Sequence, residues 1–190
     1  MIERIQDADW AILNWIRRHL RCGFLNFLMP KITWLGNLGL VWLAIAGMMI
    51  FRGTFRNGGI LVIVGLCIGV LVGNLFLKHL VARSRPCWFR APKEMLITMP
   101  NGYSFPSGHA LSSAIAATIL TATDGKFALV AILLAVLIAF SRLYLGVHFP
   151  SDVLCSAVLG VGIGLLVYFP GGKLLQNLLA RAVILPQPFR

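Results

Sequence analysis

Apolar runs separated by short polar breaks dominate the chain. Residues 2 to 20 place Ile2, Ile5, Ala8, Ile12, Trp15, Ile16 and Leu20 at near-helical spacing against Glu3, Arg4, Asp7, Arg17 and Arg18. This spacing predicts an amphipathic helix lying in a membrane interface. Phe24 to Trp34 is apolar but interrupted by Asn26, Pro30 and Lys31, and Thr33 to Phe51 is then long enough to cross hydrocarbon. Further runs follow at Ile60 to Leu77, Pro106 to Thr123, Phe127 to Leu145 and Val153 to Phe169. The breaks between them carry turn chemistry: Arg52, Arg56, Asn57, Gly58 and Gly59 in one, Asp124-Gly125-Lys126 in another. Pro106 to Thr123 is rich in Ala, Ser and Thr, the small residues that let membrane helices approach closely.

The expected fold class is therefore an all-α membrane protein. It is a bundle of five transmembrane helices, or six if residues 22 to 37 form a span of their own. A single domain is expected, with interfacial N-terminal helices over 1–32, a transmembrane core over 33–170 and a tail over 171–190.

Composition sharpens this picture. Of the 190 residues 58% are hydrophobic, too many for a soluble domain. Seventeen basic residues against six acidic ones give a formal charge of +11, which admits nucleic acid, a membrane surface or an anionic substrate as partner. The basic residues sit at the ends of apolar runs rather than along a polar face, so nucleic acid is not expected. The four cysteines have no CxxC spacing, and Cys67 and Cys155 lie inside apolar runs, so neither a disulfide framework nor a zinc site is read.

From Arg83 to Phe105 the chain turns polar and proline-rich, as in a loop leaving the bilayer. If the runs alternate across a membrane, the ends at Leu77 and Leu145 and the starts at Pro106 and Val153 share one face. Three polar segments gather there: Lys78-x6-Arg85-Pro86, Pro106-Ser107-Gly108-His109, and Ser141-Arg142-x5-His148-x3-Asp152. Lys78 and Arg85, seven apart, point in one direction if the helix continues to Pro86. Ser107 suits an N-cap, and Gly108 lets backbone N–H groups approach an oxyanion beside His109. Arg142 near the end of an apolar run is costly unless it serves an anion, and its planar fork suits phosphate. His148 and Asp152 are four apart across Pro150. That spacing lets the carboxylate accept the Nδ1 proton and leave Nε2 to attack. Two histidines and a carboxylate among three cations are the parts of a phosphoryl-transfer site.

In order and spacing the three segments match the signature motifs of the type 2 phosphatidic acid phosphatase family, which this chain resembles over Lys78 to Asp152. The resemblance implies a core shared with soluble bacterial acid phosphatases and vanadate haloperoxidases. It implies His148 as a nucleophile forming a phosphohistidine, Asp152 as its orienting partner and His109 as general acid. Lys78, Arg85, Ser107, Gly108 and Arg142 would hold the phosphate. No cofactor is expected: the three cations supply the charge that magnesium would bring, and no carboxylate cluster exists to bind one.

The expected activity is metal-independent hydrolysis of a membrane lipid phosphate or diphosphate: undecaprenyl diphosphate first, then phosphatidylglycerol phosphate or phosphatidate. A lipid phosphotransferase using the same site and a non-catalytic anion-binding membrane protein remain the alternatives. Arg52, Arg56, Lys126, Lys173 and Arg181 fall on the opposite face, which the positive-inside rule assigns to the cytoplasm. The protein is expected to cross the cell membrane several times with its active site on the outer face. His19 and His79 have no place in the motifs, and Ser141 is expected to bond a carbonyl one turn back.

Overall fold

The structure, a computed structural model, describes residues 2–89, 94–174 and 177. Its helices are α1 (Ile2–His19), α2 (Gly23–Leu35), α3 (Leu40–Arg52), α4 (Arg56–Val81), α5 (Gly108–Thr123), α6 (Ala128–Tyr144) and α7 (Pro150–Leu174). Among the described residues there is no strand. The tail expected over 171–190 falls largely outside the described residues.

Among the described residues, three helical segments are long and apolar enough to cross a membrane: Arg56–Val81, Gly125–Tyr144 and Pro150–Leu174. The run Thr33 to Phe51 is not one straight span. Gly23–Leu35 and Asn37–Arg52 meet at 50°, and only the bent pair together passes as a fourth crossing. The break has a local cause. Leu38 and Gly39 both take positive φ, 52° and 69°, which stops one helix and redirects the next. Leu38, at 90% exposure, projects from this elbow.

α5 is shorter, at 16 residues, and forms the centre of the bundle, packed on α4, α6 and α7. Its approach to α7 is close because α7 offers glycines four apart. A Cβ on Gly160 would lie 2.7 Å from both the Leu111 carbonyl oxygen and the Ala114 Cβ, and one on Gly164 would lie 2.7 Å from the Thr118 Cβ. On α4, Gly65 and Gly69 face Ile115 of α5 in the same manner. Large apolar side chains left exposed on α6 and α7, such as Leu129, Val130, Leu154 and Leu166, present the bundle's outer surface to lipid.

α1 is not a free-standing surface helix. It packs against α6 and α7, burying Leu13 and Ile16.

Candidate active site

α4 and α6 end where α5 and α7 begin, and a cavity of about 460 Å³ lies at this junction. Lys78, Arg85, Gly108, His109, Arg142 and His148 all line it, together with Asn37 and Asn74. Ser112 apart, the remainder of the wall carries no polar side chain and includes Leu38, Leu66, Val70 and Leu111.

The route that brings Arg85 here differs from the expectation. α4 stops at Val81, and Ala82 takes a left-handed φ of 46°, so Arg85 reaches the cavity from a loop and not from two further helical turns. That loop grips the guanidinium. Arg85 Nε donates to the Gly102 carbonyl at 2.7 Å and Nη1 to the Val147 carbonyl at 3.0 Å. The same Nη1 lies 3.0 Å from His148 Nε2.

These contacts fix the tautomer of His148. A guanidinium can only donate, so Nε2 carries the lone pair. A carbonyl can only accept, and the Ser104 carbonyl is 2.6 Å from Nδ1, so Nδ1 carries the proton. Burial, and then the charges on Arg85 and Arg142, hold the imidazole pKa well below its ordinary range. The ring is neutral, with Nε2 on the cation that would otherwise meet an anionic oxygen.

Asp152 does not accept from His148 directly, as its spacing had suggested. Pro150 opens α7, which puts Asp152 at the third helical position, and its Oδ2 turns back to accept from the Phe149 N–H at 3.1 Å. Ser104 Oγ donates to the same oxygen at 2.5 Å. Asp152 therefore reaches His148 through Ser104, whose hydroxyl it holds and whose carbonyl holds the ring. Ser104 lies in the polar loop before α5, where sequence order alone carries no signal for it.

His109 starts α5, and its Nε2 lies 3.0 Å from the Thr33 carbonyl and 3.1 Å from Asn37 Oδ1. Arg142 Nη1 donates to Thr33 Oγ1. The elbow between α2 and α3 thus holds both a histidine and an arginine of the site. Gly36 is required there: a Cβ would come within 2.6 Å of the His109 ring.

Ser107 occupies the N-cap of α5 but makes no side-chain cap bond. Its N–H is taken by Ser156 Oγ at 2.8 Å, and its own Oγ is buried without a partner, as is Arg142 Nε. Two buried donors left open beside a cationic cavity suit an anion. Ser141, by contrast, donates to the Ile138 carbonyl at 2.6 Å, as expected of a structural hydroxyl. His19 and His79 bond carbonyls of their own helices and lie away from the cavity.

Residues 58–170 match the model of the PAP2 superfamily. The chain belongs to that superfamily.

Its relatives in the PAP2 superfamily include phosphatidylglycerophosphatase B of Bacillus subtilis, 33% identical over 87% of this chain and 82% of that protein. Undecaprenyl-diphosphatase of Sulfolobus acidocaldarius is 35% identical over 66% of this chain, which spans 61% of that relative's length. Among solved structures, a transmembrane PAP2 type phosphatidylglycerolphosphate phosphatase from Bacillus subtilis superposes with a TM-score of 0.69 at 32% identity, over 86% of this chain and 84% of the other. Aquifex aeolicus LpxE shares the fold, with a TM-score of 0.72 at 24% identity over 83% of this chain and 93% of that one. The chain is an all-α membrane protein of this fold.

Proposed function

We propose that this protein hydrolyses a membrane lipid phosphate or diphosphate through a phosphohistidine on His148, without a metal ion. The carrying observation is the His148 ring at the wall of a cavity also lined by Lys78, Arg85 and Arg142, with its Nδ1 on the Ser104 carbonyl and its Nε2 on Arg85. In the reaction Nε2 attacks phosphorus and a N–P bond forms as the bond to the leaving oxygen breaks. The anionic phosphate, offsetting the cations around His109, lets that ring take up a proton, which it gives to the leaving oxygen. Water then attacks the phosphohistidine, His109 takes up a proton, and phosphate leaves with His148 restored. The three cations, with Ser107 and the Gly108 backbone N–H, stabilise charge on the equatorial oxygens, the work a metal does in other phosphoryl-transfer sites. Asp152 steadies the ring through Ser104 as charge develops on it.

The lipid class is supported by the wall of the cavity, which combines cations with apolar side chains, and by the activities named for the relatives. Undecaprenyl diphosphate is the proposed substrate, with phosphatidylglycerol phosphate or phosphatidate as the other candidates. An outward-facing site in the cell membrane is supported by Arg52, Arg56, Lys126 and Lys173, which lie at the helix ends away from the cavity.

Phosphate release by purified protein in detergent, with EDTA present, tests this reading on all three lipids. Release is expected to survive the chelator and to fall at least about 10³-fold in His148→Ala, the scale of losing a nucleophile. Equal release by the variant, or loss of release in EDTA, would overturn it. Labelled phosphate passing to a second lipid instead of water would mark a transferase.

A further inference from the structure

We propose that Asp9 and Arg83 are positioning residues for the nucleophile, so that the N-terminal helix α1 is a working part of the active site. This rests on the phosphohistidine reading above.

Asp9 lies on a helix whose polar side would be expected to face water, yet it is 3% exposed. A buried carboxylate is costly unless fully bonded, and Asp9 is bonded on both oxygens. Its Oδ1 accepts the Ser151 N–H at 2.9 Å, and its Oδ2 accepts from Ser151 Oγ at 2.5 Å and from Arg83 Nη2 at 2.7 Å. The Ser151 N–H belongs to the first turn of α7, where backbone donors have no helical partner. α1 thus supplies a cap for the helix that begins just after His148.

Arg83 joins this cap to the site. While Nη2 holds Asp9, Nη1 donates to Asp152 Oδ1 at 2.7 Å. The guanidinium carbon also sits 4.2 Å above the Phe149 ring, whose other contact is the edge of Trp10 at 5.3 Å. Burial opposes the charge on Arg83, but Asp9 and Asp152 outweigh it and hold the group above its ordinary pKa.

The bonds form a continuous path: Asp9 to Arg83, Arg83 to Asp152, Asp152 to Ser104, and Ser104 to His148 Nδ1. Asp152, 0% exposed, uses one oxygen for Arg83 and the other for Ser104 and the Phe149 N–H. Without Arg83 its carboxylate would be free to rotate, and the two groups that set the ring of His148 would lose their fixed anchor. Networks of this kind transmit small displacements because every member is directionally bonded. Asp9 lies outside all three signature segments, and Arg83 falls at an unspecified position of the first.

The test compares Asp9→Asn, Arg83→Gln and the double variant in the full chain, with Arg17→Gln as control. Arg17 pairs α1 with Glu94 at the protein surface and touches nothing in the path. Asp9→Asn keeps the shape of the side chain and an acceptor for Ser151, so α1 stays docked. Arg83→Lys keeps the charge but cannot reach both carboxylates with separate nitrogens. Each of the three single variants in the path is expected to lower kcat about 10- to 100-fold with KM changed less than about 3-fold, as for misplacement of a reacting group. The double variant is expected to lose no more than Arg83→Gln alone, because the residues act in series.

A second readout needs no turnover. In protein labelled with 15N-histidine, the His148 Nδ1 and Nε2 signals, assigned by their loss in His148→Ala, are expected to shift in Asp9→Asn and stay in place in Arg17→Gln. Wild-type kcat in Asp9→Asn, strictly additive losses in the double variant, or unmoved His148 signals would overturn the proposal. If wild-type protein releases no phosphate, the phosphatase reading fails by itself, and the histidine signals still decide the role of Asp9.

Discussion

Gly36→Ala offers a sharp test of how the elbow between α2 and α3 serves the site. The backbone there is ordinary, with φ −82° and ψ −6°, so alanine brings no conformational strain. The methyl group itself is the perturbation. It would lie 2.6 Å from His109 Cδ2 and 2.7 Å from Ile138 Cγ2. Ordinary van der Waals contact begins near 3.4 Å, so the His109 ring must retreat about 0.8 Å or the elbow must shift by as much. Either movement breaks the bonds from His109 Nε2 to Thr33 and Asn37, and Ile138, fully buried, leaves little room for the elbow to give way. Misplacing a reacting group by about 1 Å can cost about 10²-fold, so kcat is expected to fall about 10- to 100-fold, or about 1.4 to 2.7 kcal/mol of barrier. Overpacking would add about 1 to 3 kcal/mol of destabilisation. The assay is phosphate release at saturating lipid, alongside thermal unfolding in the same detergent. Gly47→Ala is the matched control: its Cβ meets nothing within 4 Å, and an alanine inside α3 should be neutral or slightly stabilising. Wild-type turnover in Gly36→Ala would show that His109 is not held against Gly36 during catalysis.

Three further outcomes follow from the structure. Because His148 is held neutral by burial and by Arg85 and Arg142, the nucleophile should stay competent as pH falls through the ordinary imidazole range near 6.5. The acid limb of kcat/KM due to this group is expected well below pH 6.5, and an acid limb at 6.5 that His148 accounts for would refute the assignment. The linked stability has a definite sign. The unfolded chain binds a proton at this histidine that the folded one resists, so stability declines as pH drops below about 6.5. Gly160→Ala would press its methyl group onto the Leu111 carbonyl oxygen and Ala114, both on the central helix, at 2.7 Å. It is expected to cost about 1 to 3 kcal/mol, read as a lowered unfolding temperature.

The cationic and histidine residues were legible in the sequence because an ionisable group at the end of an apolar run has few explanations other than function. Their partners were harder to see. Thr33 and Asn37 lie inside what reads as a single apolar span, and only the cluster Gly36-Asn37-Leu38-Gly39 signals a break. Asp152 stands one helical turn from His148, which suggests a direct bond. Pro150 starts the helix between them and turns the carboxylate toward the Phe149 N–H, so Ser104 fills the gap. Asp9 has the periodicity of a solvated face. Its burial depends on α1 docking against the start of α7, a contact between residues 142 positions apart that no local pattern encodes.

The cavity wall holds one more consequence. Leu38 and Val70 line it and are 90% and 50% exposed. On the proposed function, apolar side chains so exposed at the cavity let a lipid substrate enter from the bilayer, a two-dimensional fluid. Turnover should track the mole fraction of substrate lipid in the bilayer or micelle and not its concentration in the whole vessel. Adding inert detergent at fixed total substrate should slow the enzyme by surface dilution alone.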